Sequence, residues 1–397
     1  MDRFTKAFSK KGKPLLVLDE FKFRNCTISK NGIKWRCTIK SCTSNFLCDK
    51  SNRPVTTRPL KLIRNEVQSS ALDLTLNDVH SIRRSVYRTR RKTLPPLPKN
   101  VTEVHTALNN LDTNTYKGEN LLLINDNMLN ITCFSTKSNL EFLCSCDKIF
   151  VDGIFEFCSK YFYQLFTIYG LKNGQYIPLI FSLLPNKLPS TYEYLFRVLI
   201  SKCATFNIDL NPKTVVADFE QGIHFAVKQV WPSILLVGCR FHLSQAWWKN
   251  IQSCGLQTEY KNPNSEVGKW LHLVFGFSLF SHEEVKDVII EELMTIQPIN
   301  SNLTKFTNYL VENYISSNST FPPKLWASNL ISCERTTNAC EAFHASFSTN
   351  FYSPHPNIFV FLKVIIETQT STYIAINSIE QEKYISNRAY LKKKNNN

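Results

Sequence analysis

The sequence predicts an α/β protein: a mixed five-stranded sheet flanked by helices, with a helical insertion and a small β-rich module at the N-terminus. Three observations carry that expectation. β-like runs at 148–158, 161–169 and 175–184 follow one another across short turns, which pairs them antiparallel. Beyond residue 190 helical and strand patterns alternate, which is how parallel strands are connected. The positive charge sits in the first quarter of the chain, so a basic N-terminal region separates from a neutral body.

Residues 1–65 carry short β-like pieces, Leu15–Leu18 and Lys34–Ile39, between polar turns. Residues 66–100 combine an amphipathic basic stretch with Leu94-Pro95-Pro96-Leu97-Pro98, a stiff extended linker because proline cannot continue a helix and restricts its neighbour. One large domain is expected over 101–375 and a tail over 376–397, whose last residues are a Lys/Asn run. Inside the large domain, Lys148–Cys158, Tyr161–Tyr169 and Gln175–Leu184 are strands, and Asn173-Gly174 is a two-residue hairpin turn. The helix Thr191–Phe206 follows, with apolar residues at 195, 198, 199 and 203. Strand Thr214–Ala217, helix Gln221–Val230, strand Ile234–Val237 and helix Leu243–Cys254 complete the series. Three antiparallel strands followed by αβαβα is the ribonuclease-H-like order. Residues 255–330 read as a helical insertion ahead of a last helix at Asn338–Ser348.

Residues 1–100 hold 23 Lys and Arg against 7 Asp and Glu, whereas the remaining residues hold 24 against 25. A basic segment on a neutral body suits a polyanion partner. Its bland alternative is a solvated basic tail. No apolar run approaches the roughly 18 residues that cross a bilayer, and the N-terminus has no apolar signal core, so a soluble intracellular protein without a membrane partner is expected. The 13 cysteines are odd in number and mostly embedded in apolar stretches. They are expected to be small buried hydrophobes rather than disulfides.

Asp152 interrupts the apolar run Ile149-Phe150-Val151, where a carboxylate is costly unless paired or ligated; the alternative is a strand end turning into Gly153. Asp218 ends Val215-Val216-Ala217, at the carboxyl end of a strand where α/β folds bind ligands. It could equally cap the next helix. Glu341 follows Asn338 at capping-box spacing, so it closes a helix start, joins the other two acids, or does both. Carboxylates converging on hard divalent cations are what phosphodiester chemistry needs. No Walker loop and no nucleophile triad competes with that reading.

The residues now on the page carry a resemblance. Val151-Asp152-Gly153, Phe162–Ile168, Pro178-Leu179, Leu184-Pro185-Asn186-Lys187, Ala217-Asp218-Phe219-Glu220 and Cys239–Ala246 together resemble the core of Mutator-like element (MULE) transposases. Arg335–His344 resembles the final acidic segment of that family. The resemblance implies that Asp152, Asp218 and Glu341 form an Asp-Asp-Glu triad holding Mg²⁺ or Mn²⁺. It also brings Cys239 and His242 onto the family's Cys-x-x-His signature, with His242 at the metal site or the scissile DNA. A packed cysteine and a hydrogen-bonded histidine are the alternative for that pair.

Upstream, Leu18, Phe21, Phe23 and Trp35-Arg36-Cys37 through Cys42 resemble a FLYWCH-type zinc finger, yet no histidine occurs before His80. A degenerate finger is the preferred reading, with Cys37 and Cys42 as zinc candidates and Cys26 and Cys48 able in principle to complete a site. The helix expected at Val79–Lys92 carries Arg83, Arg84, Arg88, Arg90, Arg91 and Lys92 and suits DNA phosphates. The expected function is a nuclear DNA transposase that cuts element ends, joins them to target DNA and works as a homo-oligomer. The alternative is a non-cutting, transposase-derived nuclear DNA-binding protein or transcriptional regulator.

Overall fold

The computed structural model describes the backbone of residues 5–8, 14–18, 21–29 and 32–37, together with residues 75–93, 95–316, 318–327, 338–351 and 353–381. Two compact units are formed, one from residues 1–100 and 347–364, the other from 101–346 and 365–397. In the first, strands β1 (Thr5–Phe8), β2 (Pro14–Leu18), β3 (Phe21–Ser29) and β4 (Gly32–Cys37) form an antiparallel sheet in sequence order. Helix α1 (Leu76–Thr93) begins earlier than its apolar pattern suggests, because Thr75 and Asp78 cap it reciprocally. Asp78 N–H donates to Thr75 Oγ1 at 3.2 Å, and Thr75 N–H donates to Asp78 Oδ2 at 2.9 Å.

The second unit opens with α2 (Val101–Asn109), β5 (Leu122–Asp126), β6 (Ile131–Phe134) and α3 (Lys137–Cys144). Then come β7 (Lys148–Ile154), β8 (Gln164–Lys172), β9 (Gln175–Leu184) and α4 (Pro189–Thr205). β10 (Thr214–Ala217), α5 (Gln221–Val230), β11 (Leu235–Gly238) and α6 (Arg240–Ser253) follow. Its sheet has seven strands, not five, in the order β11-β10-β7-β8-β9-β6-β5. β10 lies parallel to both neighbours, and the remaining pairs are antiparallel. The five expected strands are present; the additional β5–β6 hairpin pairs through β6 with β9. It escapes the sequence pattern because β6 is four residues long and buried throughout, so no alternation marks it.

At the β8–β9 turn, Asn173 (φ 52°) and Gly174 (φ 76°) take the left-handed conformations that a two-residue hairpin requires. β8 starts only at Gln164, so the aromatic-rich stretch 155–163 is a loop and not the strand ends its composition suggests. Side chains alternate across the sheet. Ile149, Val151, Phe166, Ile168, Val215 and Ala217 face the main core with Tyr192, Phe196 and Trp231. Phe150, Tyr169 and Val216 face the other way, onto Cys239, Cys340 and Phe343. Asp152 and Asp218, each two residues further along its strand direction, belong to this second face.

The insertion is helical as expected, with α7 (Gln257–Lys261), α8 (Glu266–Gly276), α9 (Glu284–Asp287) and α10 (Ser301–Leu310). It is tied to α6 through Trp247, whose ring meets Phe275, Tyr314 and Trp326 edge-on at 5.6–5.8 Å. α11 (Asn338–Ser348) and α12 (Ile358–Glu380) close the chain. α12 corrects one expectation. By length and composition it is apolar enough to cross a membrane, with mean hydropathy 1.2 over a window that is 56% buried here. Lys363, Glu367, the threonines and Gln369 interrupt its apolar run, which hides it from a search for unbroken stretches. From Ile365 onward it belongs to the core: Gln369 and Asn139, both fully buried, exchange hydrogen bonds of 2.7 and 2.8 Å. Cys133, Cys146, Cys158, Cys203, Cys239 and Cys340 are buried, and none of them forms a disulfide.

Gln369→Leu removes one side of that amide pair and leaves Asn139 short of a partner. It is expected to lower unfolding stability by about 1–3 kcal/mol, read as a shifted denaturant midpoint; an unchanged midpoint would show that the pair does not hold α12 in the core.

Candidate active site

Register brings the two aspartates together. β7 and β10 run parallel with Val216 opposite Phe150, so residues 152 and 218 stand at matching positions on neighbouring strands. Asp152 is 3% exposed in the middle of β7. Its Oδ1 accepts a 2.9 Å hydrogen bond from Gly153 N–H, whereas Oδ2 is buried with no hydrogen-bond partner. Asp218 leaves β10 into a short loop, and its Oδ1 accepts from Phe219 N–H. It does not cap α5, whose cap position is Glu220.

That loop is gripped from three sides. His224 Nε2–H donates to the Asp218 carbonyl at 2.7 Å. Phe219 packs against Phe321 and Tyr314 of the insertion, 5.2 and 6.0 Å between ring centres. Behind it lies Gly238, where an added Cβ would sit 2.4 Å from Phe219 Cζ, so only glycine admits the ring. Glu220 accepts from Lys187 Nζ and from Tyr192 OH, each at 2.6 Å, and Tyr192 OH also accepts from Gln164 Nε2 at 2.6 Å. Gln164 sits beside Gly153, where a Cβ would lie 2.7 Å from its Oε1. One polar chain therefore joins the start of β8, the strand beside β7, to the Asp218 loop.

Two further groups reach the same place from helices. Cys239 is fully buried at the start of α6, and its N–H donates to Ala217 O at 2.7 Å. One turn later His242 points at the carboxylates: Nε2 lies 3.2 Å from Glu341 Oε1, and Nδ1 lies 3.9 Å from Asp218 Oδ1. Glu341, in the first turn of α11, is thus turned toward His242. One ligand atom each from Asp152, His242 and Glu341 lie within 4.8 Å of one another, a group able to hold a metal ion. Cys239 packs among Phe150, Tyr169 and Cys340 instead.

His344 completes the site and is the residue that sequence reasoning gives no role. It lies one helical turn after Glu341 and therefore on the same face, which is the signal that could have found it. Its Nδ1 is 3.6 Å from Asp152 Oδ2, and its Nε2 is 2.7 Å from Tyr169 OH. Burial lowers its pKa to about 4, so the ring is neutral. Burial also dominates at Asp152 and pushes it up to about 7; His242 opposes the shift, while Glu341 and Asp218 add to it. For His242 burial works against the charged ring, yet contacts with Cys239 and Glu341 and the Asp218 charge outweigh it and raise the pKa. The same hydrogen bond from His242 lowers that of Glu341.

Arg83, Arg84 and Arg88 lie on α1, half-buried or exposed. Arg90, Arg91 and Lys92 share that helix, but their side chains lie outside the described residues. Cys37 ends β4 with its side chain outside them too, as are Cys42 and Cys48 altogether. The zinc site considered above therefore rests on positions the structure does not describe.

Residues 148–246 match the profile of the MULE transposase domain, which implies DNA as a partner. The match spans β7 through the first half of α6 and includes Asp152, Asp218 and His242. No curated protein matches the chain significantly.

A carboxylate with a raised folded-state pKa favours folding below its ordinary value of 3.8, and that contribution is lost as pH climbs to about 7. In metal-free buffer the wild type should therefore lose stability relative to Asp152→Asn across this window, by at most about 4 kcal/mol. Parallel denaturant midpoints for the two proteins from pH ~4 to ~8 would show that Asp152 is not held protonated.

Proposed function

We propose that this chain is a metal-dependent DNA transposase in which Asp152, Asp218 and Glu341 hold Mg²⁺ or Mn²⁺ and His242 assists them. The observation that carries the reading is the convergence of Asp152, His242 and Glu341 from β7, α6 and α11, with Asp218 at the end of β10 3.9 Å from His242. The donor set fits: carboxylate oxygens suit hard divalent ions, and one imidazole is compatible with Mn²⁺. Asp152 Oδ2 is the kind of orphaned buried acceptor that a cation would satisfy. Divalent ions bound there would polarise the phosphodiester and activate the attacking oxygen.

The protein's own groups supply positioning. Gly153 and Phe219 N–H each fix one carboxylate oxygen, leaving the other free. His242 holds Glu341, and the Lys187–Glu220–Tyr192–Gln164 chain keeps the Asp218 loop beside β7. The reaction so read is phosphodiester hydrolysis at element ends, followed by in-line attack of the freed 3′-hydroxyl on target DNA. A ribonuclease-H-like core is supported by the strand order β11-β10-β7-β8-β9 together with the domain match. The N-terminal strands are read as a degenerate FLYWCH-like module, with α1 contacting phosphates. Work on chromosomal DNA requires a nuclear location, and joining two ends suits a multimer on DNA.

Mn²⁺-dependent nicking of supercoiled plasmid tests the catalytic reading. Wild-type protein is expected to nick, and Asp218→Asn or Glu341→Gln to lose about 100-fold or more, since metal sites tolerate little loss of ligand charge. Nicking that survives both substitutions would place the chemistry elsewhere; binding without nicking by the wild type would favour the non-cutting DNA-binding protein.

Replacing Arg83, Arg84, Arg88, Arg90 and Arg91 by Gln tests the arm. Each phosphate contact contributes about 0.9 to the slope of log K against log salt. The variant should flatten that slope by up to about 4.5, as measured by fluorescence anisotropy on duplex DNA. An unchanged slope assigns phosphate binding to other residues.

A further inference from the structure

The loop that follows Asp152 is built in a way that holding a metal does not require. Residues 155–163 are anchored from beneath: Cys158 and Ser159 are fully buried, and Phe162 inserts beside His105 with ring centres 5.9 Å apart. Phe162 N–H donates to Ser159 O at 3.1 Å, and Tyr163 N–H donates to Leu184 O at 2.8 Å. On that fixed base three aromatic rings face outward, Phe155 at 41%, Tyr161 at 37% and Tyr163 at 53% exposure. Tyr161 is held there with φ 79°, a backbone region that bulky residues avoid and that clusters at functional sites.

The rings come with cations. Lys187 Nζ stands 4.3 Å from the centre of Phe155, and Lys160 Nζ stands 4.8 Å from that of Tyr161. Phe155 meets Tyr163 edge to face at 5.6 Å. Glu156, also exposed, is the acid within the loop. Lys187 is engaged with Glu220, whereas Lys160 makes no ion pair among the described residues. The position ties the rings to the carboxylates. A Cβ built on Gly153 would lie 4.0 Å from Phe155 Cζ, and Gly153 N–H is the group that holds Asp152. Lys187 bonds Glu220, two residues past Asp218.

Exposed aromatic faces beside ammonium groups are what unpaired nucleobases and their phosphates recognise, because every base has a face to stack and a charged backbone to neutralise. Paired duplex DNA buries those faces in its own stack. We propose that Phe155, Tyr161 and Tyr163 form a stacking platform for unpaired bases of the DNA strand at the carboxylate site, with Lys160 and Lys187 meeting its phosphates. This deepens the transposase reading and rests on it for the identity of the strand. It implies that the protein engages DNA with bases drawn out of the helix next to the phosphate to be cut.

The test is fluorescence anisotropy of full-length protein in EDTA, where no cutting occurs. Three labelled DNAs are compared: a blunt duplex, the same duplex with a three-nucleotide unpaired tail, and that tailed duplex with abasic sites replacing the unpaired bases. Wild type is expected to bind the tailed DNA about tenfold more tightly than the abasic version. Phe155→Ala/Tyr163→Ala should bring the two together, with an unfolding midpoint matching wild type, because both rings are exposed. Tyr163→Trp, which keeps a stacking face, should retain the preference. Equal binding of tailed and abasic DNA by wild type, or an undiminished preference in the double alanine variant, overturns the platform. Base preference without Mn²⁺-dependent nicking would leave the platform standing and remove the catalytic reading, and nicking without base preference would do the reverse.

Discussion

The parallel, in-register pairing of β7 with β10 is the constraint on which the rest of this site depends. With Val216 opposite Phe150, Asp152 and Asp218 fall side by side on the same face of the sheet. A slip of one residue would turn one of them into the main core, since side chains alternate with period two. The apolar neighbours hold that register. Ile149, Val151, Val215 and Ala217 on one face leave no room for a carboxylate, so the acids can stand only on the other.

Like charges gathered in a buried setting cost energy, and the surrounding structure shows where that cost is met. Asp152 meets it by holding its proton, since burial pushes its pKa up to about 7, whereas Asp218 and Glu341 share His242 between them. His344, kept neutral and bonded to Tyr169, presents a dipole to Asp152 without adding charge. The carboxylates are therefore arranged around polar groups contributed by helices, while the sheet fixes their spacing. Strands provide precision and helices provide compensation.

Much of this was legible in the sequence. Runs with clear periodicity or strong turn chemistry, such as Gln175–Leu184, Gln221–Val230 and Asn173-Gly174, mark their own structure because local forces decide them. Asp152 and Asp218 were visible as charges out of place in apolar strands, and Glu341 through its family-like segment. What sequence could not supply was non-local. β6 has no alternation because both its faces are covered, and α12 hides behind scattered polar residues that find partners only in the folded core. His344 carries no anomaly in its own neighbourhood; its position acquires meaning when Asp152 arrives from a strand distant in sequence. The loop 155–163 resembles strand in composition because aromatic residues favour sheets, yet Phe155, Tyr161 and Tyr163 face solvent instead of a neighbouring strand.

Gly238 extends the idea of what a site consists of. It bears no functional group, yet it is the hollow into which Phe219 fits, and Phe219 in turn carries the backbone of Asp218 and leans on the insertion at Phe321 and Tyr314. A heavier residue there would press the ring against that aromatic wall and displace a carboxylate without touching it. A substitution at Gly238 would keep every acid and still disturb their alignment. Alignment of the carboxylates thus depends on a position with no chemistry of its own.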